Sequence, residues 1–459
     1  MQSAKPTSAT AAAAAEVAVA IDFGTSNSAV ALPLPGGEVR LVALEDGQPT
    51  MPTAVFYLAE GPALAEPERL FGRAALAAYI DGVDGRLMRS MKSILGSPML
   101  EQRTDIGGGR ALRYAEVVGG YLRQLKRLAE ASAGHALPRV VLGRPVFFVD
   151  DDPVRDAQAQ AALQAAAHAV GFKDVAFQYE PIAAALDHER ALTQEELVLV
   201  ADIGGGTSDF SLVRVGPARR QRVDRRADIL ANHGVHIAGT DFDRRILLAA
   251  ILPLFGFGAR GPMRDDGTAR EVPSSIYFDL ATWHLINTAY TPSRLAEMRS
   301  MRGWYADAAV HRRLMAVLEQ RLGHALAAAA EAAKIEVAGG SAARIDLGLV
   351  ESGLRAALDL ATAAATMDED IERIVAAAQQ AARQAGVAPQ AVDALYFTGG
   401  STGLTPLVQR IAAAFPAARS VRGERFSSVA RGLGLHAARA FGDQVLRQIP
   451  RQVPRQVPR

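Results

Sequence analysis

Two stretches limit what this chain can become more than any other part of it. Residues 17–22 form an apolar strand pattern closed by Asp22, followed by the turn Phe23-Gly24-Thr25-Ser26-Asn27 and a second apolar run over residues 28–32. The same order of residue types returns in residues 197–215. There an apolar strand runs into Asp202-Ile-Gly-Gly-Gly-Thr-Ser-Asp209 and then residues 210–215. Each copy is a strand ending in an acid, a glycine turn ending in Thr-Ser, and a returning strand. Repeat arrays recur every ~20–50 residues, so two copies this far apart predict two related lobes rather than a solenoid.

Around these hairpins strands alternate with helices, which predicts an α/β class. Strands are expected at residues 139–142, 175–179 and 395–398, and helices at 153–170, from Ala183, from Gly239 to near Phe255, and at 404–414. The Ala-rich residues 307–337 read as one long helix, whereas 256–305 carry little pattern. The expected division is a disordered N-terminal tail over 1–15 and a first lobe over 16–196, joined by a C-terminal helix over 427–442. A second lobe covers 197–426, with a subdomain of about 240–340 inserted over the cleft. The repeats Arg447-Gln-Ile-Pro, Arg451-Gln-Val-Pro and Arg455-Gln-Val-Pro make 443–459 an extended basic tail, because proline at every fourth position forbids a helix interior. Such a tail is either solvated or a short peptide for an acidic partner. The Arg-rich residues 219–226 read as a solvated hairpin turn rather than a nucleic-acid patch.

The 459 residues contain no cysteine, which removes disulfides, thiolate metal sites and thiol nucleophiles together. With 50 Lys+Arg against 49 Asp+Glu there is no electrostatic reason to expect nucleic acid or anionic lipid as a partner. No apolar run approaches the ~20 residues of a spanning helix. The N-terminal Ala run has only Lys5 before it, is interrupted by Glu16 and is closed by Asp22, unlike an export signal. A cytoplasmic protein without membrane contact is expected.

Glycine turns with Thr and Ser suit a polyphosphate, since the backbone can come close and aim successive N–H groups at one anion while hydroxyls add donors. Thr25, Ser26 and Asn27 make one such tip, and Gly204, Gly205, Gly206 and Thr207 the other; facing tips would clamp a phosphate chain from both sides. Asp22, Asp202 and Asp209 beside an anion make sense around a cation, most simply Mg2+ with retained waters.

These residues resemble a known superfamily. Residues 21–27 and 202–209 look like the two phosphate motifs of the actin, sugar-kinase and heat-shock ATPase superfamily. Tyr179-Glu-Pro-Ile-Ala-Ala-Ala-Leu186 is similar to its first connecting motif, and Phe397-Thr-Gly-Gly-Ser-Thr402 to its adenosine motif. Met91-Lys-Ser-Ile-Leu-Gly96, Gly239-Thr-Asp-Phe-Asp243 and the spacing of Glu331 and Lys334 bring it nearest the ATPase half of the 70-kDa heat-shock (DnaK-type) chaperones. Two of the chain's five lysines, Lys92 and Lys334, fall in these slots. The resemblance spans about 17–440 and implies an actin-like ATPase fold. Each of its two lobes would hold a mixed five-stranded sheet flanked by helices, with ATP or ADP and Mg2+ in the cleft between them. Because the chain ends soon after, it resembles the short chaperone-like proteins of the YegD type, without a peptide-binding domain in cis.

The resemblance implies phosphate contacts from Gly24, Thr25, Ser26, Asn27, Gly204, Gly205, Gly206 and Thr207, and water-mediated magnesium binding by Asp22 and Asp202. It implies catalytic roles for Lys92, Glu180, Asp209 and Thr207, and adenosine-side contacts from Gly239, Thr240, Glu331, Lys334, Gly399, Gly400 and Ser401. Pro145, after Arg144, matches a proline that relays nucleotide state between lobes. Gln160, Thr240, Ile335, Gly403 and Ser427 depart from the family's residues, Thr240 replacing a ribose-contacting glutamate and Ile335 an adenine-stacking arginine. The expected function is slow ATP hydrolysis signalled by lobe closure to a protein partner or client. An actin-like filament protein and a small-molecule kinase of the same fold are the alternatives, together with a nucleotide binder that has lost catalysis. Glu331 and Lys334 also suit a plain i,i+3 helix pair.

Overall fold

The computed structural model describes residues 18–60, 68–424 and 427–448. The expected N-terminal tail (1–15) and the tail residues 449–459 lie outside the described residues. In chain order, β1 (Ala18–Phe23) and β2 (Asn27–Pro33) make the first hairpin, and β2 divides its outer edge between β3 (Val39–Leu41) and β4 (Thr50–Pro52). A small sheet of β5 (Ala54–Leu58), β6 (Arg69–Phe71) and β7 (Gly85–Arg89) carries α1 (Gly72–Ile80), and the hairpin β8 (Arg103–Gly107) and β9 (Arg110–Arg113) follows. After α2 (Tyr114–Ala133), β10 (Arg139–Arg144), α3 (Pro153–Ala169) and β11 (Asp174–Tyr179) complete the first large sheet.

Helix α4 (Glu180–Ala191) leads to the second hairpin, β12 (Glu196–Ile203) and β13 (Ser208–Val215), extended by β14 (Ile229–Val235). Next come α5 (Gly239–Ile246), the hairpin β15 (Arg260–Met263) and β16 (Ala269–Glu271), α6 (Ser275–Ala281), α7 (Pro292–Ser300), α8 (Ala308–Glu319) and α9 (Gly323–Ala338). The hairpin β17 (Ala343–Asp346) and β18 (Arg355–Leu358), α10 (Leu360–Gln384), β19 (Ala394–Thr398), α11 (Thr405–Ala414), β20 (Arg419–Arg422) and α12 (Ser428–Gln448) close the chain. The last helix runs past residue 443, into the segment read as tail.

The two large sheets have one topology. In the first, β3, β2 and β1 form an antiparallel meander and β10 and β11 add in parallel; in the second, β14, β13 and β12 form the meander and β19 and β20 add in parallel. With β4 the first sheet counts six strands across five positions, and the second counts five. This is the actin-like arrangement. Between the sheets run α4 and α12, whose small residues let backbones meet: a Cβ on Gly432 would lie 1.8 Å from the Ala183 carbonyl oxygen. The outer face of the first sheet is covered by α2, where Val117, Val118, Tyr121, Leu122, Leu125 and Ala129 recur at helical spacing and are buried. Among the described residues no helix is long and apolar enough to cross a membrane.

The structure corrects two further expectations. The Ala-rich stretch is two helices, because Arg321 takes a left-handed conformation (φ 57°) and the chain turns before Gly323. Alanine propensity cannot register that break, which a positive φ outside glycine imposes only with tertiary support. The Arg-rich turn is not simply solvated: Arg225 is fully buried, its guanidinium on Glu189 (2.8 and 3.1 Å) and Asp228. The helix opened by Gly239 does reach Phe255, but changes pitch through a π-helical turn at Leu247–Ile251 and a 3-10 turn at Leu252–Phe255, which holds Pro253.

Candidate functional site

The two hairpins point their tips at each other. A Cβ placed on Gly205 would lie 3.3 Å from Ser26 Oγ, so the turns after β1 and β12 abut across the space between the sheets. Each tip is tight for a local reason. In the first, a Cβ on Gly24 would fall 2.1 Å from the Asn27 carbonyl oxygen, which only glycine avoids, and Thr53 N donates to Ser26 O at 2.9 Å from β4's end. In the second, Gly204 N donates to Thr207 O at 3.0 Å. Thr25, Asn27 and Gly206 are exposed, and Ser26, Gly204, Gly205 and Thr207 half-buried, so a ligand entering from solvent reaches both tips.

Beneath the tips lies a charged floor. Asp22 ends β1, while Asp202 and Asp209 stand opposite each other in the β12–β13 ladder. Glu180 opens α4, and Lys92 sits in the short turn Met91–Ile94, after Ser90 in a left-handed conformation. Lys92 Nζ donates to Glu180 Oε1 at 2.5 Å, with only 8% and 16% of the two side chains exposed. Burial, reinforced by Glu180 and Asp202 and opposed by Lys92, pushes the Asp22 carboxyl up to about 8. Burial followed by Asp209 and Glu180 pushes Asp202 up to about 7. Asp209 is also raised, by burial and Glu180, against a hydrogen bond from Thr207; it keeps access to solvent although protein surrounds it on most sides, as a residue on a cleft floor does. Burial would lower the Lys92 ammonium, but Glu180, Asp22 and Asp202 hold it above its ordinary value.

Four carboxylates thus share one ammonium. That donor set fits a divalent cation held through water: negative charge is in excess, yet among the described residues no three acidic or histidine side chains converge as direct metal ligands.

A second group closes over the Gly204–Thr207 tip. The turn at Gly399, with φ 88°, brings its Cα against Asp202, since a Cβ there would lie 2.8 Å from Asp202 Oδ1. Ser401 Oγ donates to Gly204 O at 2.6 Å. Thr240, in the first turn of α5, donates from Oγ1 to Gly205 O at 2.8 Å, and Gly239 N donates to Gly204 O at 3.3 Å. Lys334 on α9 reaches this turn, pairing with Asp243 Oδ1 at 2.7 Å and donating to Gly239 O at 3.2 Å. Gly400 adjoins Ser401 in the same turn. Glu331, one turn earlier on α9, is exposed and makes no hydrogen bond or ion pair among the described residues; the plain i,i+3 pair with Lys334 is therefore not formed, because Asp243 takes the ammonium. Ile335 is 63% exposed.

Sequence reasoning named no role for Asp243, although it closes the quoted motif, nor for Asp150, whose charge bears on Asp209 from the Asp150–Asp152 loop. Arg144 is held by Gln160 Oε1, by Asp156 at 2.9 Å and by the carbonyls of Pro145 (3.0 Å) and Val146 (3.1 Å), and stacks 5.0 Å from the ring of Tyr179, next to Glu180. Gln160 therefore serves Arg144 as an acceptor. A cavity of about 210 Å3 opens beside Arg144 and Tyr179, against Leu230 and Asn232 of β14, to one side of the tips.

Residues 96–252 match the family described as Hsp70 protein. Among curated proteins, the "Chaperone protein DnaK" of Thermosipho melanesiensis (strain DSM 12029 / CIP 104789 / BI429) is 32% identical over 234 residues, 50% of this chain and 35% of that protein. The protein of the same name from Thermotoga neapolitana (strain ATCC 49049 / DSM 4359 / NBRC 107923 / NS-E) is 31% identical over 235 residues, 50% of this chain and 35% of its own length. That of Thermosipho africanus (strain TCF52B) is 32% identical over 234 residues, with the same shares. The match spans about a third of the length of these relatives.

Proposed function

We propose that this chain belongs to the Hsp70 family through its ATPase domain, to which residues 96–252 and the DnaK proteins are similar, and that it is a cytoplasmic, slowly hydrolysing ATPase whose nucleotide state is read by a protein partner. The observation that carries the reading is the meeting of the two tips over Asp22, Asp202, Asp209, Glu180 and Lys92. The Gly24–Asn27 and Gly204–Thr207 turns hold the phosphates from opposite sides with backbone amides and hydroxyls. Asp22 and Asp202 would hold magnesium, and the bound ion would supply neutralisation of phosphate charge.

The reaction is transfer of the terminal phosphoryl group to water, giving ADP and phosphate. Its transition state is loose, so positioning and charge matter more than a strong base. Lys92 steadies charge on the transferred group and orients the water. Glu180, Asp209 and Thr207 hold that water by its protons, one of which leaves with the products. Gly239, Thr240 and the Gly399–Ser401 turn border the adenosine side, where Ile335 offers apolar surface to a base. Closure of the two sheets on the phosphates would pass along α4 to Tyr179, Arg144 and Pro145, the surface a partner can sense.

Calorimetric titration of ATP and ADP, each with and without Mg2+, paired with phosphate release in the absence of any acceptor, tests this. Magnesium-dependent binding with slow release of phosphate is expected; release only on adding an acceptor would identify a kinase, and ATP-dependent pelleting a filament protein.

A further inference from the structure

Two carbonyls of the second tip, those of Gly204 and Gly205, are engaged from one side. Gly205 O accepts from both Thr240 Oγ1 and Thr240 N at 2.8 Å, and Gly204 O accepts from Ser401 Oγ at 2.6 Å and Gly239 N at 3.3 Å. Three of these four donors belong to the first turn of α5. That turn is itself held from behind: Lys334 Nζ lies 2.7 Å from Asp243 Oδ1 and 3.2 Å from Gly239 O, so one ammonium joins two points a turn apart on α5 to α9. The pair is well enclosed, with 13% of Lys334 and 20% of Asp243 exposed.

We propose that Lys334 is a positioning residue for the phosphate-binding tip: pinned between Asp243 and the Gly239 carbonyl, it fixes the α5 turn whose Gly239 and Thr240 hold Gly204 and Gly205. The inference rests on reading these tips as phosphate ligands, and departs from an adenosine contact, since the ammonium is already paired with Asp243 and hydrogen-bonded to the Gly239 carbonyl. Two physical points favour positioning over stability. Every glycine in the Gly204–Gly206 run is conformationally loose, so an external clamp decides how sharply its amides are aimed. Burial, against Lys334, also pushes the Asp243 carboxyl up to about 6, so its ionised form is disfavoured by the fold. A charge kept there against stability points to function, consistent with enclosed ion pairs being poor stabilisers.

The two roles differ in what they predict for a ligand without adenosine. Inorganic tripolyphosphate and ATP, each with Mg2+, are titrated calorimetrically into the full chain and its variants Lys334→Met, Lys334→Arg and Asp243→Asn. Lys334→Met is expected to weaken both ligands by the same factor, about tenfold, the size of one charge-assisted hydrogen bond. Lys334→Arg retains most of the affinity. Asp243→Asn weakens both ligands like Lys334→Met, and the double variant Lys334→Met/Asp243→Asn, which strands no charge, does the same with an unfolding temperature near the parent's, which keeps the proposal testable if Lys334→Met folds poorly. Weakening of ATP alone, with tripolyphosphate unchanged, would make Lys334 an adenosine contact and overturn the proposal. So would unchanged affinity for both. A parent chain that binds neither ligand overturns the phosphate reading beneath it.

Discussion

Replacing Lys92 with methionine keeps the stem of the side chain and removes the ammonium that faces Glu180, Asp22 and Asp202. Two effects follow, and they can be separated. The first is on stability. Breaking a fully buried ion pair from one side costs about 3–5 kcal/mol; Glu180 retains 16% exposure, which lets water screen the stranded carboxylate, and the loss should be nearer about 2 kcal/mol. The second is on rate. Lys92 is the fixed positive charge over the proposed reaction centre, and losing one preorganised electrostatic contact of that kind lowers turnover about 10²–10³-fold. The double variant Lys92→Met/Glu180→Gln removes the stranded charge as well, so it should regain most of the lost stability and none of the rate. Urea unfolding followed by tryptophan emission reads the first effect; phosphate release in single turnover at saturating ATP reads the second. Release by Lys92→Met within about threefold of the parent would refute the assigned role. Recovery of rate in the double variant would refute it too, since the defect would then be one of folding.

Arg225→Met should destabilise the chain by about 3–5 kcal/mol in urea, because it leaves buried Glu189 without its ion pair at the junction of α4 with the β13–β14 connection, while buried Asp228 keeps Arg219; an effect below about 1 kcal/mol would mean water already screens Glu189. Burial, with Arg439 and Arg225 nearby, holds His436 down at about 4, and burial alone does the same for His324. Both folded values lie below the ordinary 6.5, so these groups leave stability untouched above that pH and erode it as pH falls from there toward about 4. Asp22, Asp202 and Asp243, held up at about 8, 7 and 6, gain stability over the same fall, so the histidine part is read as a difference: in thermal unfolding between pH 7.5 and 5, His436→Gln should gain on the parent as the pH drops. Trp283, stacked on Tyr79 at 5.3 Å and capped by Arg89 at 4.4 Å, ties the β5–β7 sheet to the α6–α9 region. Trp283→Ala removes contacts worth about 1–2 kcal/mol, hence about 5–30-fold faster release of a fluorescent ADP; an unchanged release rate would show that this contact does not gate the cleft.

Much of the architecture is legible along the chain because it is written in contiguous residues. Strand, terminal acid, glycine turn and returning strand sit side by side in each hairpin, and hydrogen bonds between near neighbours make that pattern sufficient to place Asp22, Asp202 and both tips. The recurrence of the pattern anticipates the shared topology of the two sheets. Other features depend on which distant surfaces meet. Lys92 finds Glu180 across 88 positions and Lys334 finds Gly239 across 95, and no periodicity carries that information. Arg225 reads as a surface cation until α4 brings Glu189 against it and excludes water. Arg321 breaks an alanine helix because neighbouring elements hold a backbone conformation its own propensity disfavours. The carboxylates of the floor are ordinary acids in an unfolded chain; packing two sheets around them thins their solvent and brings like charges together, and that partial desolvation raises Asp22 and Asp202 well above the ordinary carboxylate range.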